Sequence, residues 1–218
     1  MIGRRSQILR AIAAVGFAAC FSASAHATVY TNSGGTQGSE AAFGSPDTTS
    51  YGEYFTAPGG ALDSWTFTSQ SVSTAGNLDL VVASWNGSSA VGPALYTSAP
   101  ITDSGTSNEA LTFSGINLAL TTGQSYIAYM TVAGVANPVS GAVIATSSTD
   151  VLSGGGAWDN SNGANPLTPG NNSWKIPNNF HFTYSATFGP AAVPEPPGAA
   201  VLALGLAGLG FVRRRRSS

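Results

Sequence analysis

Few residues of this sequence could carry out acid–base or nucleophilic chemistry. Between residues 28 and 192 there is one histidine, His181, and no cysteine. Hydrolysis through a nucleophile needs that nucleophile, a base and a group that orients the base, and the chain has no G-x-S-x-G motif to present a serine. His181 lies on the polar side of an alternating segment, which predicts a solvent-exposed histidine. The sequence therefore predicts no catalytic residue and no enzymatic activity.

Carboxylates are the second group of side chains that could do chemistry. Glycoside hydrolysis needs two of them at a set separation, so a secreted polysaccharide hydrolase is one alternative interpretation of the chain. Most of them stand beside turns, where a carboxylate ordinarily accepts hydrogen bonds from the backbone. Residues 28–192 contain nine, which are Glu40, Asp47, Glu53, Asp63, Asp79, Asp103, Glu109, Asp150 and Asp159.

The distribution of charge excludes one class of partner. Only 8% of the residues are charged and the net charge is −2, but every arginine stands near one end of the chain. Residues 28–192 contain Lys175 as their single cation, so one positive and nine negative charges give this body a net charge of −8. An acidic body repels the phosphate backbone, and we expect no nucleic-acid partner.

One segment has oxygen-bearing side chains at alternating positions, as calcium loops do. It is Asp159-Asn160-Ser161-Asn162-Gly163, and it lacks both the complete D-x-[DN]-x-[DN]-G pattern and the distal glutamate. Zinc would need cysteine or several histidine ligands, which the body does not provide. We expect no metal and no cofactor, with calcium in this segment as the alternative.

Two tryptophans are candidates for stacking against a sugar ring. Trp158 and Trp174 lie in the Gly/Asn-rich segment 153–179, which has weak strand character and is predicted to form a long loop region. The alternative is that both rings cover one end of the folded body, while Trp65 and Trp85 belong to its core.

Alternation with a period of two residues predicts the elements that position these side chains. In residues 180–188, Phe180, Phe182, Tyr184, Ala186 and Phe188 share one face. Residues 125–132 are apolar on both faces. Further strands are predicted at residues 50–57, 62–69, 78–85, 94–97, 110–113, 116–120 and 142–146, with turns at 58–60, 86–87, 92–93 and 122–123. The pattern predicts an all-β fold, an antiparallel β-sandwich of jelly-roll or immunoglobulin-like type.

The N-terminal segment is typical of a secretory signal peptide. Residues 1–10 are basic, residues 11–21 are apolar, and Ala25-His26-Ala27 forms a small-x-small cleavage site. We therefore expect residues 1–27 to direct the chain to the export translocon and to be removed by signal peptidase. Lipid attachment at Cys20 is an alternative that the Ala27 site disfavours.

The C-terminal segment predicts a short membrane span. The apolar residues 198–212 would form a helix about 22 Å long against a hydrocarbon core of about 30 Å. Arg213, Arg214, Arg215 and Arg216 follow and would stop the helix at the cytoplasmic interface. The extended motif Val193-Pro194-Glu195-Pro196 precedes the span and leaves its backbone open to an enzyme.

Val-Pro-Glu-Pro, a short Gly/Ala/Leu-rich apolar helix and a terminal arginine cluster, in this order, resemble the PEP-CTERM sorting signal, a motif also named the ice-binding protein C-terminal domain. The resemblance covers about the last 26 residues. It implies transient anchoring in the inner membrane and recognition of residues 193–196 by an exosortase-type sorting enzyme. The final location would be the cell surface or extracellular matrix of a bacterium that makes exopolysaccharide. Residues 51–132 also resemble β-sandwich bodies of other PEP-CTERM proteins, with no catalytic residues to carry over.

These observations divide the chain into a signal peptide at 1–27, a β body at 28–192 and a sorting signal at 193–218. The expected function is that of an exported, non-catalytic surface or matrix protein associated with exopolysaccharide. A carbohydrate-binding module and the hydrolase are the alternatives. Ice binding would need a flat, regular threonine array, and the sequence shows only isolated pairs such as Thr66 and Thr68.

Overall fold

The described part of the chain is built from β-strands and contains no helix. This computed structural model describes residues 26–33, 36–159, 164–168 and 173–190, all within the unit Ala25–Val193. The predicted apolar signal segment and Ala25, the Val193 to Pro196 motif, the apolar run 198–212 and the arginine cluster lie outside the described residues. Within the described ranges, no helix is long and apolar enough to cross a membrane.

The strands of the described residues form two antiparallel sheets. The first sheet contains β1 (Thr28–Thr31), β2 (Thr36–Phe43), β4 (Ala61–Ser71), β8 (Glu109–Ala119), β10 (Ala142–Ser147), β13 (His181–Phe182) and β14 (Tyr184–Phe188). The second contains β3 (Ser50–Thr56), β5 (Gly76–Trp85), β6 (Ala90–Thr97), β7 (Ile101–Asp103), β9 (Ser125–Thr131), β11 (Gly155–Asp159) and β12 (Trp174–Lys175). The all-β prediction with antiparallel pairing is confirmed.

The order of strands follows from pairing between distant segments. The first sheet runs β1-β14-β4-β10-β13, with β2 also paired to β10 and β8 to β4. The second runs β12-β11-β3-β9-β5-β6, with β7 also paired to β5. Strand β9 is central, and six of its seven residues are buried, as its doubly apolar pattern predicted.

Aromatic side chains from both sheets meet in the main core. Phe55 on β3 lies 5.1 Å from Trp65 on β4, measured between ring centroids, and Tyr51 on β3 stacks at 4.9 Å on Phe182 of β13. These rings are fully or almost fully buried because alternate residues of each strand face the opposing sheet. Trp65 and Trp85 are both buried, in agreement with their predicted core positions.

Several predicted elements differ from the structure, and β1, β2 and β7 are strands that the alternation did not predict. Residues 92–93 do not reverse the chain: they lie inside β6, where Gly92 has a φ of 76° and the register with β5 shifts. The predicted strands at 110–113 and 116–120 belong to one long strand, β8, which ends at Ala119. It accommodates extra residues near Gly115, with a φ of 71°, as a bulge. The segment 153–179, predicted as loop, contains β11 and β12, because its glycines pair with β3.

The predicted continuous strand at 180–188 is broken at Thr183. His181 and Phe182 pair with β10, whereas Tyr184 to Phe188 pair with β4. Buried Asn32 holds the break: its side-chain amide donates to the Phe182 carbonyl at 2.8 Å, and its Oδ1 accepts from the Tyr184 N–H at 2.7 Å. The break changes the environment of His181.

Candidate binding cleft

The expectation of a solvent-exposed His181 is wrong. His181 is only 6% exposed, and its Nδ1 lies 2.6 Å from Oε1 of Glu53 on β3. The second oxygen of Glu53, Oε2, accepts from the Phe182 backbone N–H at 3.0 Å. Because β3 and β13 belong to different sheets, this carboxylate connects the two sheets through two hydrogen bonds.

Glu53 occupies a core position because of strand alternation. Tyr51, Glu53 and Phe55 follow one another at every second residue of β3, and all three are buried. The carboxylate therefore lies between two aromatic residues on the face of β3 that is turned toward the first sheet. The sequence contains a signal for this position: Glu53 stands midway between Tyr51 and Phe55 in the alternating pattern, on the apolar side of the predicted strand.

Burial and hydrogen bonding act in opposite directions on the carboxylate. Burial raises the pKa of Glu53 to about 7, although hydrogen bonds from His181 and the Phe182 N–H oppose the shift. The pKa of His181 is raised as well, because its hydrogen bond to Glu53 outweighs burial. The pair thus binds protons more tightly in the folded protein than its separate groups do in water.

A cleft of about 380 Å³ opens beside this pair. His181 contributes to its wall, and its remaining ring nitrogen, Nε2, has no hydrogen-bond partner in the described part of the chain. Nε2 is not fully buried, so it keeps some contact with the space of the cleft. The lining residues are Tyr54, Ser148, Asp150, Gly154, Gly155, Ile176, Pro177, Asn178, Asn179, Phe180 and His181.

Several polar side chains of the cleft are available to a ligand. Within the described residues, the side chains of Ser148, Asn178 and Asn179 form no hydrogen bond. Together with Nε2 of His181 they provide hydroxyl, amide and imidazole groups at one surface. A small molecule rich in hydroxyl groups could satisfy such a set of donors and acceptors.

Asp150 is the carboxylate at the rim of the cleft, and its position is set by the backbone. Its Oδ1 accepts from the N–H groups of Leu152 and Gly154, both at 3.1 Å, and Oδ2 lies 3.2 Å from the Gly154 N–H. The side chain is exposed, so its remaining acceptor sites face solvent. The carboxylate is thus held in one orientation before any ligand binds.

Three successive glycines, residues 154–156, allow close approach to Tyr54 and Phe180. A Cβ on Gly155 would lie 2.5 Å from the Tyr54 hydroxyl oxygen, and a Cβ on Gly156 would overlap the Phe180 ring. A Cβ on Gly154 would overlap the Tyr54 carbonyl oxygen. The backbone contact makes Gly154 the strictest of these positions, because the Tyr54 carbonyl cannot move as a side chain can.

The two candidate stacking residues lie behind Phe180 and Tyr54, two residues that line this cleft. Trp158 contacts Phe180 edge to face at 5.5 Å, and Trp174 contacts Trp85 at 5.8 Å. Trp85 in turn stacks on Tyr54 at 5.3 Å, with the rings 6° from parallel. Both candidate residues are half-buried. Trp158 packs against the main core and Trp174 against the smaller core on the other face of the second sheet, so they do not form one platform.

The candidate calcium segment is described only at its first residue. Asp159 ends β11, is fully buried and pairs with Trp174 across the strands, while residues 160–163 lie outside the described residues. No group of three or more His, Cys, Asp or Glu side chains that could hold a metal occurs in the described ranges.

Strand pairing places Thr66 in a row of hydroxyl groups rather than in an isolated pair. Thr112, Thr66, Ser185 and Thr31 face one another across β8, β4, β14 and β1. The Thr66 and Thr112 hydroxyls lie 3.0 Å apart, as do those of Thr31 and Ser185. The adjacent row is less regular: Ser114, Ser64 and Thr187 are followed by exposed Val29. Strand pairing, and not threonine spacing along one strand, creates this uncharged face.

Comparisons of the chain with protein-family models, with curated proteins and with solved structures found no match.

Proposed function

We propose that this protein is an exported surface or matrix protein whose body binds carbohydrate in the cleft at His181, without catalysis. One observation carries the proposal: unpaired hydroxyl, amide and imidazole groups converge on one cleft. Sugars present many hydroxyl groups, and a cleft with several convergent polar groups suits them. In this proposal Trp158 and Trp174 support the cleft from behind, through their contacts with Phe180 and Trp85.

The proposed fold is a β-sandwich of jelly-roll or immunoglobulin-like type. Two antiparallel sheets that share one aromatic core support it. Sandwiches of this kind commonly bind ligands at loops and sheet ends, where side chains can vary without disturbing the core.

The proposed destination depends on the terminal segments of the sequence. Signal peptidase would cut after Ala27, and the first strand begins at Thr28, so the cut would leave β1 whole. The PEP-CTERM resemblance supports transient inner-membrane anchoring and processing near Pro194-Glu195-Pro196 by an exosortase-type enzyme. Association with exopolysaccharide would then follow from a carbohydrate-binding body.

A glycan array probed with the purified full-length chain tests the binding proposal. Asn178→Ala and Ser148→Ala should each weaken binding of a positive glycan about fivefold, the effect of one lost hydrogen bond. Ser114→Ala, an exposed serine on the outer face of β8, is the matched control and should bind as the unaltered protein does. Absence of binding to every glycan, or equal losses in all three variants, would refute the proposal.

A secreted hydrolase is the second candidate, and the Glu53–His181 hydrogen bond favours it. A carboxylate that orients one imidazole nitrogen leaves the other placed to act as a base, and Ser148 lines the same cleft. Turnover of polysaccharides or sugar esters that is lost in His181→Ala would establish this activity. Glycan binding without turnover would instead support the non-catalytic function.

A further inference from the structure

We infer that the cleft at His181 selects sugars that carry a protonated amine, with Asp150 as the counter-ion; this inference depends on the proposed carbohydrate-binding function. The ligand class would be amino sugars without an N-acetyl group, as in a deacetylated hexosamine polymer. Neutral sugars would bind more weakly, and acidic sugars would be excluded.

Charge at the cleft is the first argument. Apart from the Tyr54 phenol, the ionisable groups in contact with the cleft or directly behind it are Asp150 and the Glu53–His181 pair. His181 is matched by Glu53, which leaves the negative charge of Asp150 without a cationic side chain among the lining residues. Lys175, the only lysine or arginine of the described residues, lies on β12 and does not line the cleft.

The fixed orientation of Asp150 is the second argument. Two backbone N–H groups hold its carboxylate, so little side-chain entropy is lost when a ligand amine approaches. Those hydrogen bonds leave acceptor sites free, because a carboxylate accepts at about four positions. An ammonium group provides donors and a positive charge to such a site, whereas an acetamido group provides one neutral donor.

The surrounding groups are the third argument. Tyr54 and Phe180 line the cleft beside the polar groups and carry no charge that would compete with Asp150 for the amine. Asn178, Asn179 and Ser148 can accept and donate to hydroxyl groups of the same sugar ring. The cleft therefore offers one anionic position within an otherwise neutral polar surface, which matches one amine on a polyhydroxylated ring.

Binding of three oligosaccharides to the full-length chain tests this inference. The probes are oligomers of glucosamine, of N-acetylglucosamine and of galacturonic acid, measured by calorimetry near neutral pH, because a more acidic solution would protonate both Glu53 and His181 and place an unmatched positive charge beside Asp150. We expect the glucosamine oligomer to bind most tightly, and Asp150→Asn to weaken it about fivefold, as expected for a partly exposed ion pair. Asp150→Asn should weaken the N-acetylglucosamine oligomer less than the glucosamine oligomer, because the acetylated ligand has no positive charge to pair with the carboxylate. Asp47→Asn, which alters an exposed carboxylate outside the cleft, is the matched control and should change none of the affinities.

A salt titration of the unaltered protein tests the same point without a variant. Affinity for the glucosamine oligomer should fall as sodium chloride is raised, while affinity for the N-acetylated oligomer stays constant. Equal affinities for both oligomers, or tighter binding of galacturonate, would overturn the amine inference and leave carbohydrate binding standing. Absence of binding to all three oligomers, combined with a negative glycan array, would overturn both.

Discussion

Glu53 and His181 are 128 residues apart in the chain, yet their side chains form a 2.6 Å hydrogen bond between the two sheets. Glu53 comes from the aromatic face of β3, and His181 comes from the two-residue strand β13 at the border of the cleft. The hydrogen bond orients the imidazole, so that Nε2 is the ring nitrogen left for a ligand. The pair thus belongs both to the core and to the candidate site.

Protonation of this pair should make stability depend on pH. The pKa of Glu53 rises from 4.5 to about 7 on folding, and that of His181 rises above 6.5, so the folded chain holds more protons than the unfolded chain in this range. Stability falls with rising pH wherever the folded state binds more protons. The free energy of unfolding in urea should therefore decrease from about pH 5 to about pH 8.

Glu53→Gln removes one titrating group of the pair and should flatten this pH dependence. Asp47→Asn, an exposed turn residue, is the control and should retain the full slope. A free energy of unfolding that is constant or increases over this interval in the unaltered protein would contradict the assignment.

Truncation of Glu53 should be among the most destabilising changes at the site. Glu53→Ala leaves the buried His181 ring and the Phe182 N–H without their acceptor, and breaking a buried pair in this way costs about 3–5 kcal/mol. Glu53→Gln keeps an acceptor of the same shape and should cost clearly less. Chemical unfolding of both variants measures the difference, and equal costs would show that the hydrogen bonds contribute little.

Substitutions of the cleft glycines should differ in severity. Gly154→Ala brings its Cβ onto the Tyr54 carbonyl oxygen, which cannot move without disturbing β3. Gly155→Ala meets the Tyr54 hydroxyl at 2.5 Å, and that ring can turn away. We expect Gly154→Ala to lower the melting temperature strongly. Gly155→Ala should mainly weaken ligand binding with a small change in melting temperature. The reverse order would contradict this description of the cleft wall.

Trp158 should influence binding through Phe180. Trp158→Ala removes the ring that contacts Phe180 at 5.5 Å, and the affinity for a bound glycan should fall. Trp158→Phe keeps an aromatic neighbour and should restore most of that affinity, because it restores the packing behind Phe180. Phe180→Ala should weaken binding at least as much as Trp158→Ala. A larger loss for Trp158→Ala than for Phe180→Ala would indicate direct contact between Trp158 and the sugar.

Processing of both ends is measurable in the native host. Intact mass of the protein recovered from the cell surface should correspond to a chain that starts at Thr28 and ends near Pro194. A Pro194→Ala/Glu195→Ala/Pro196→Ala variant should remain uncut at the C-terminus and stay in the inner-membrane fraction. Surface protein that retains residues 198–218 would contradict the sorting proposal.

The sequence by itself determined the all-β fold, most strand positions and the aromatic faces of the core. Alternation is a local property, because successive side chains of a strand point to opposite sides whatever lies next to them. Strands β3, β4, β5 and β9 were therefore predictable within a few residues. Bulges at Gly92 and Gly115 were not, since a bulge and a turn use the same residues.

Only the tertiary structure decided the candidate site. The local pattern placed His181 on a polar face, but it could not show that the strand breaks at Thr183 or that Glu53 would meet the imidazole. Those outcomes depend on which distant strands pair and which sheet faces are covered, and β13 pairs with β10 while β14 pairs with β4. Likewise, Trp158 and Trp174 were candidates by composition alone, and the fold placed them behind Phe180 and Trp85. The contacts of His181, Trp158 and Trp174 depend on pairing between distant strands, which local alternation cannot predict.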